Sequence, residues 1–261
     1  MERIALIKVS KKYSPDDAEY AVRDVSLTIP DGEFVTVLGP SGCGKSTILE
    51  LVAGLSEPTR GDVCINGRCI NGPSPEVGVV FQDPALFPWR TIRSNVGLGL
   101  ELHGVPSEAR RELADKYIRM VHLTGWEEKY PHELSGGMRQ RAGLVRTLVN
   151  NPSILLMDEP LGAVDYLTRL SIQDEIIAMW QKEKKTVLFI THDVGEAVYL
   201  GTKVVLMTAH PGRISEIIDV DFPYPRDRND PAMLELVSQI LVKINRGADK
   251  HAPQAVCGEQ Q

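Results

Sequence analysis

Cysteine is scarce: four residues in 261, Cys43, Cys64, Cys69 and Cys257, at irregular spacing. That excludes a disulfide framework and offers no zinc-ligand pattern. Long apolar runs are missing too, with no stretch near the roughly 18 residues of a membrane span. The opening "MERIALIKVSKKY" alternates like a strand and lacks the apolar centre of a signal peptide. Charge of one sign is not concentrated anywhere. The 35 acidic and 29 basic residues are interleaved and give a formal net charge of −6, so the electrostatic footprint of a nucleic-acid binder is lacking. No internal repeat is visible. The expectation is a soluble cytosolic protein, and with 43% hydrophobic residues the chain can bury an adequate core in one large or two small domains.

What is present is an ordered alternation of strands and helices. Residues 3–30 read as two antiparallel strands around the polar turn "SPDDAE" (residues 14–19). Next, "EFVTVLG" runs into a glycine-rich loop and then "KSTILELVAGL", with Ile48, Leu51, Val52 and Leu55 at helical spacing. Asn66-Gly67 is a two-residue hairpin signal that sets Cys64 opposite Cys69; in a reducing cytosol two packed thiols are expected. The runs "EVGVVFQ", "SILLMDEP", "KTVLFITHD" and "KVVLM" are apolar at nearly every position, as strands covered on both faces of a parallel sheet are. Between Asp83 and Asn151 the texture turns helical, with Ala109, Leu113, Ile118 and Val121 forming one face from Ser107 to about Gly125. A last helix spans "DPAMLELVSQILVKINRG", with Asp230 as its cap, Pro231 first and Gly247 ending it, and the residues after Lys250 read as frayed. The fold expected is α/β: a P-loop NTPase core with a mostly parallel sheet, an N-terminal antiparallel β part and a helical insertion. In residues, that is one unit over 1–250, with a core of about 1–82 and 152–225, a helical subdomain of about 83–151 and a polar tail, 251–261.

Five patterns bear on chemistry. "GPSGCGKST", Gly39 to Thr47, fits G-x-x-x-x-G-K-[ST] between a predicted strand and a predicted helix. Backbone N–H groups of such a loop wrap phosphates, Lys45 neutralises β/γ oxygens and Ser46 offers a hydroxyl to Mg²⁺. "SILLMDEP" delivers Asp158 and Glu159 at a strand's carboxyl end, where ligands of open α/β sheets bind; Asp158 suits the Mg²⁺ shell and Glu159 the polarisation of an attacking water. "TVLFITHD" ends in Thr191, His192 and Asp193, and "VVFQDP" ends in Gln82; spacing alone gives neither residue a role. "LSGGMRQR" sets Ser135, Gly136 and Gly137 before a helix whose apolar positions are Met138, Ala142, Val145 and Val149. Its exposed dipole end suits an anion, but without a lysine it completes a site rather than founding one.

With these residues in order, the chain resembles the ABC-type ATPase subunits from about Ile4 to Ile218. The resemblance implies that Tyr13 stacks on adenine and that Gly39, Ser41, Gly42, Cys43, Gly44, Lys45, Ser46 and Thr47 form the Walker A loop. It makes Gln82 the Q-loop residue that reaches Mg²⁺, "LSGGM" the signature, and "ILLMDE" Walker B with catalytic Glu159. "LGAVD" becomes the D-loop and His192 the switch histidine, acting with Lys45 in catalysis. It further implies head-to-tail pairing, so that Ser135, Gly136 and Gly137 of one copy close over ATP and Mg²⁺ held by another.

Two residues depart from the family pattern: Met138 stands where glutamine is usual, and Gly162 where many members carry serine. Both leave the backbone donors and the catalytic carboxylate in place, so active hydrolysis is expected. Cys43, beside Lys45 at a helix start, is expected to have a lowered thiol pKa and to block hydrolysis when alkylated. Leu86, Phe87, Pro88 and Trp89 suit reception of a partner's helix, which in importers of the family belongs to the transmembrane permease. "LFPW" with "HPGRISEIIDVDFPYPRDR" resembles the nitrate/sulfonate/taurine importer group. That implies a peripheral subunit on the cytoplasmic face of the inner membrane, paired with a second nucleotide-binding subunit, linked indirectly to a periplasmic or extracellular solute-binding protein, and without nucleic acid. The alternative is a soluble ABC-type ATPase acting on ribosome or DNA, but the two cassettes or long coiled coil of such proteins are not in this sequence. A small-molecule kinase would leave the octet unexplained.

Overall fold

Strands that are apolar at every position need cover on both faces, and here they have it. All five residues of Phe34–Leu38 and of Thr186–Ile190 are buried. The structure, a computed structural model, describes residues 2–14 and 17–249; expectations for Pro15 and Asp16 in the turn, for Cys257 and for the tail lie outside the described residues. In chain order come β1 (Glu2–Lys11), β2 (Val22–Pro30), β3 (Phe34–Leu38), α1 (Lys45–Val52), β4 (Arg60–Ile65), β5 (Arg68–Cys69) and β6 (Val77–Val80). Helices α2 (Ile92–Val96), α3 (Leu98–Leu102), α4 (Ser107–Met120) and α5 (Gly136–Leu148) follow. The chain then alternates: β7 (Ile154–Asp158), α6 (Tyr166–Glu183), β8 (Thr186–Ile190), α7 (Val194–Leu200), β9 (Lys203–Thr208), β10 (Arg213–Asp219) and α8 (Pro231–Asp249).

The larger sheet has the order β10-β9-β3-β8-β7-β6. Its strands are parallel apart from β10, which runs antiparallel to β9 along the edge. The smaller sheet, β2-β1-β4-β5, is antiparallel throughout. One core lies between the two sheets and around α1, joining Ile4, Val35, Ile48 and Leu188. The other covers the opposite face and is shared with the inserted helices, joining Phe34, Ile92, Ile118, Val145 and Met157. The helical segment therefore packs into the sheet's own hydrophobic layer, burial of which drives their association.

Local expectations hold with some shifts. Cys64 and Cys69 are paired across the β4–β5 hairpin as free thiols. Burial, and then the hydrogen bond with Cys69, push the Cys64 thiol up to about 11. On α4 the buried residues are Ala114 and Ile118, continued by Val121, while Ala109 and Leu113 are exposed. The inward stripe thus runs i, i+4, i+7 from Ala114; it keeps the expected Ile118 and Val121 and has Ala114 in place of Ala109 and Leu113. Leu55 falls beyond the end of α1 and is exposed. The last helix passes through Gly247 to Asp249, while Asp230 caps its start by accepting from the Ala232 N–H at 2.8 Å.

Candidate functional site

Because β3, β6, β7 and β8 are parallel, their carboxyl ends meet at one edge of the sheet and bring together residues far apart in sequence. The phosphate loop follows β3 and turns into α1 at Gly44, whose φ of 87° is left-handed. A Cβ there would lie 2.3 Å from Cγ1 of Val22, so glycine is required both for conformation and for space. Lys45 Nζ donates to the carbonyls of Gly39 (2.8 Å) and Pro40 (3.0 Å), which holds the ammonium inside the loop. A cavity of 620 Å³ opens above it. Tyr13, Gly39, Ser41, Gly42, Gly44, Lys45, Ser46, Thr47, Gln82, Asp158, Glu159 and His192 all line this cavity. The Tyr13 hydroxyl lies 2.9 Å from Thr47 Oγ1 and donates to Glu50 Oε2 at 3.1 Å, tethering the ring beside α1. Ala21 also lines the cavity; no sequence pattern marked it.

Desolvation pushes the Asp158 carboxyl up from its ordinary value, and a hydrogen bond with Ser46 opposes the shift. Ser46 and Asp158, joined by that hydrogen bond, and Gln82 thus offer oxygens to the same cavity. Among the described residues no cluster of three or more His, Cys, Asp or Glu could cage a metal. A site of one carboxylate plus neutral oxygens suits Mg²⁺, which keeps waters and takes phosphate oxygens as further ligands.

Glu159 is built differently. Its φ of 45° is left-handed for a non-glycine residue, a strain of about 1–3 kcal/mol that persists only where neighbours over-determine it. They do: the Glu159 N–H donates to Ile190 O at 3.0 Å, and its carbonyl accepts from Gly162 N at 3.2 Å and from Gln140 Nε2 at 2.9 Å. The carboxylate then reaches His192, with Oε2 3.2 Å from Nδ1. His192 is itself placed by the turn after β8, where the Asp193 N–H donates to Thr191 Oγ1 at 3.1 Å and the Thr191 hydroxyl donates to buried Glu196. Gly162 leaves room, since a Cβ there would meet the Glu159 carbonyl only at an ordinary 3.5 Å.

Cys43 corrects an expectation. Its side chain is fully buried, at 0% exposure, and does not line the cavity. Desolvation pushes the thiol up, outweighing Lys45, whose Nζ lies 4.0 Å from Sγ. The loop turns Cys43 into the core, beneath the strand ends rather than toward solvent. A maleimide should therefore label exposed Cys69 ahead of Cys43 and leave hydrolysis unchanged; peptide mapping that finds Cys43 modified together with lost turnover would contradict this burial.

Ser135, Gly136 and Gly137 stand apart: none of them lines the cavity of their own chain. Ser135 caps α5, its Oγ accepting from the Met138 N–H at 3.3 Å. The helix begins at Gly136, slightly earlier than expected, with Met138 packed against the core. Of the apolar segment after Gln82, Leu86 packs into the core and Phe87 is half-buried, whereas Trp89 is 71% exposed against the Phe87 ring, with centroids 5.3 Å apart. The turn at 211–213 also gains a place. Gly212 donates to Ala21 O (3.1 Å) and accepts from Arg23 N (2.9 Å), and a Cβ on it would lie 2.2 Å from the Cys43 carbonyl oxygen, so it sits directly against the loop.

Comparison with known proteins agrees with this layout. The sequence profile of the family described as ABC transporter matches residues 22–162. An uncharacterized ABC transporter ATP-binding protein of Methanocaldococcus jannaschii is 52% identical over 221 residues, 85% of this chain and 83% of that protein. The aliphatic sulfonates import ATP-binding protein SsuB of Bacillus licheniformis is 45% identical over 220 residues, 84% and 85% of the two chains. A dimeric ATP-binding cassette solved in a post-hydrolysis state, bound to ADP and Pi, superposes with a TM-score of 0.77 at 32% identity, covering 84% of this chain and 100% of that one.

Proposed function

The chain belongs to the ABC transporter family, and we propose that it is the ATP-hydrolysing subunit of an importer for a small aliphatic sulfonate or a related solute such as taurine or nitrate. The observation that carries the ATPase reading is the meeting of Lys45, Asp158 and the Glu159–His192 pair in one cavity that lacks the signature residues. Such a cavity is half of a site. A second copy would supply the other half, presenting the N-terminus of its α5 at Ser135–Gly137 to the γ-phosphate.

In this reading the loop Gly39–Thr47 holds the triphosphate through backbone N–H groups and Lys45. Tyr13 stacks on the adenine. Ser46, Asp158 and Gln82 would hold Mg²⁺, which when bound neutralises charge on the β- and γ-phosphate oxygens. Glu159 takes a proton from the attacking water, and His192 fixes the rotamer of the carboxylate that does so. Residues 83–151 act as the helical subdomain that couples closure to transport.

The solute class rests on likeness to the sulfonate-import proteins, at 45% and 38% identity. In this reading the permease contact lies at Trp89, a choice supported by its exposure and by a hollow of 270 Å³ beside it lined in part by Phe87, Leu98 and Leu102, apolar surface suited to a short helix. Among the described residues no helix is long and apolar enough to cross a membrane; likeness to importer ATP-binding proteins supports a peripheral subunit on the cytoplasmic face. Affinity purification from detergent-solubilised membranes should bring down a polytopic permease. In vesicles, ATP turnover should rise when a sulfonate-loaded binding protein is added. Co-sedimentation with ribosomes and no membrane partner would overturn the transport reading.

A further inference from the structure

Gln140 lies on α5 one turn inside its start and is 4% exposed. Buried amides need partners for both ends, and this one finds both in the backbone of the catalytic segment. Its Nε2 donates to the Glu159 carbonyl at 2.9 Å, and its Oε1 accepts from the Ala163 N–H at 2.7 Å. A single side chain therefore bridges the peptide that carries the catalytic carboxylate and the loop after it. The same turn of α5 presses on the same loop a second time: a Cβ on Gly137 would stand 2.6 Å from the Ala163 carbonyl oxygen. Glu159 needs such a hold, since its left-handed φ of 45° is kept only by bonds on both sides of its peptide.

We propose that Gln140 is a positioning residue that ties α5, whose start faces a second copy's nucleotide, to the backbone of this chain's own Glu159, so that seating of α5 sets the reach of the carboxylate. The inference rests on the roles given above to Glu159 and to Ser135–Gly137. Its logic is geometric. If the first turn of α5 moves when a partner's phosphate engages it, the Gln140 amide carries that displacement to Glu159 and Ala163 together. The two half-sites of one chain are then joined by two hydrogen bonds.

Gln140→Met removes both bonds and keeps the volume. Turnover should fall about ten- to a hundredfold, as for a buried bond lost at a positioned group, while KM for ATP shifts by less than about twofold, because the binding cavity is untouched. Gln140→Glu distinguishes positioning from packing. The ionised side chain still accepts from Ala163 but cannot donate to the Glu159 carbonyl, whereas the protonated form does both. Its turnover relative to wild type should therefore rise as pH is lowered from about 8.5 to about 6, with circular dichroism showing a folded chain throughout. If the Met variant does not fold, the pH profile of the Glu variant decides alone. Wild-type turnover in either folded variant at high pH, or a Glu variant whose relative turnover is flat with pH, would overturn the proposal. Glu159→Gln run alongside separates the failures: full turnover there sinks the catalytic assignment, and loss there with intact Gln140 variants sinks only the bridge.

Discussion

Glu159→Gln will bind ATP with near wild-type affinity and release phosphate about 10²- to 10⁴-fold more slowly, the usual range for removing a general base. The substitution is nearly isosteric, and the strained backbone at this position is held by Ile190, Gly162 and Gln140 through main-chain atoms that the change does not touch. The amide can still contact His192, now 3.2 Å from Oε2. Only the capacity to accept a proton from water is lost. In the proposed reading binding uses Lys45, the loop backbone and Tyr13, which line the same cavity and are left unchanged, so KM should change little. Because a second copy must complete the proposed site before hydrolysis, ATP should also trap the variant as a pair. Stopped-flow phosphate release, equilibrium nucleotide binding and light scattering test the three parts. Normal phosphate release would remove Glu159 from the chemistry and return the strain at its backbone to a purely structural role.

How much of this could be read in the sequence depends on whether a feature is local. Strands buried on both faces announce themselves as unbroken apolar runs, so β3, β6, β7, β8 and β9 were visible, and the loop Gly39–Thr47 was visible because its chemistry is written in consecutive residues. The edge at which Gln82, Asp158 and His192 meet followed from parallel strands presenting the same ends. Three things were not legible. The direction of the Cys43 side chain depends on a left-handed glycine loop that turns it inward, and proximity to Lys45 in sequence suggested the opposite. The inner face of α4 depends on which neighbours surround it: Ile118 and Val121 are buried as expected, but the first half of the helix turns Ala114 inward in place of Ala109 and Leu113. Gln140 is a polar residue at an inward helix position; its partners, Glu159 O and Ala163 N, come from the far side of a strand and only the fold supplies them.

Gly136→Asp offers a sharper separation of folding from function, because the two effects have opposite sign. Gly136 is the first residue of α5, exposed, and a Cβ there meets nothing closer than the Arg139 guanidinium at 4.0 Å. Aspartate in the first helical turn interacts favourably with the helix dipole, by about 0.3–1 kcal/mol. The variant should melt at the wild-type temperature or slightly above it. Yet if this turn faces the γ-phosphate of a second copy, a carboxylate now meets an anion across a closed interface. Like charges so placed cost several kcal/mol, and turnover should fall by at least about 10²-fold. ATP binding to the Walker side of the same chain should persist, since Gly136 lies outside that cavity. Mixing supplies the decisive control. Lys45→Ala should be inactive for the opposite reason, so a pair made of the two variants contains one site with an intact Lys45 loop and an intact signature. Such a mixture should recover turnover above either variant alone, as an isologous pair requires. Wild-type turnover in Gly136→Asp by itself would mean that Ser135–Gly137 is no more than a helix cap, and that the anion it was built to meet belongs elsewhere.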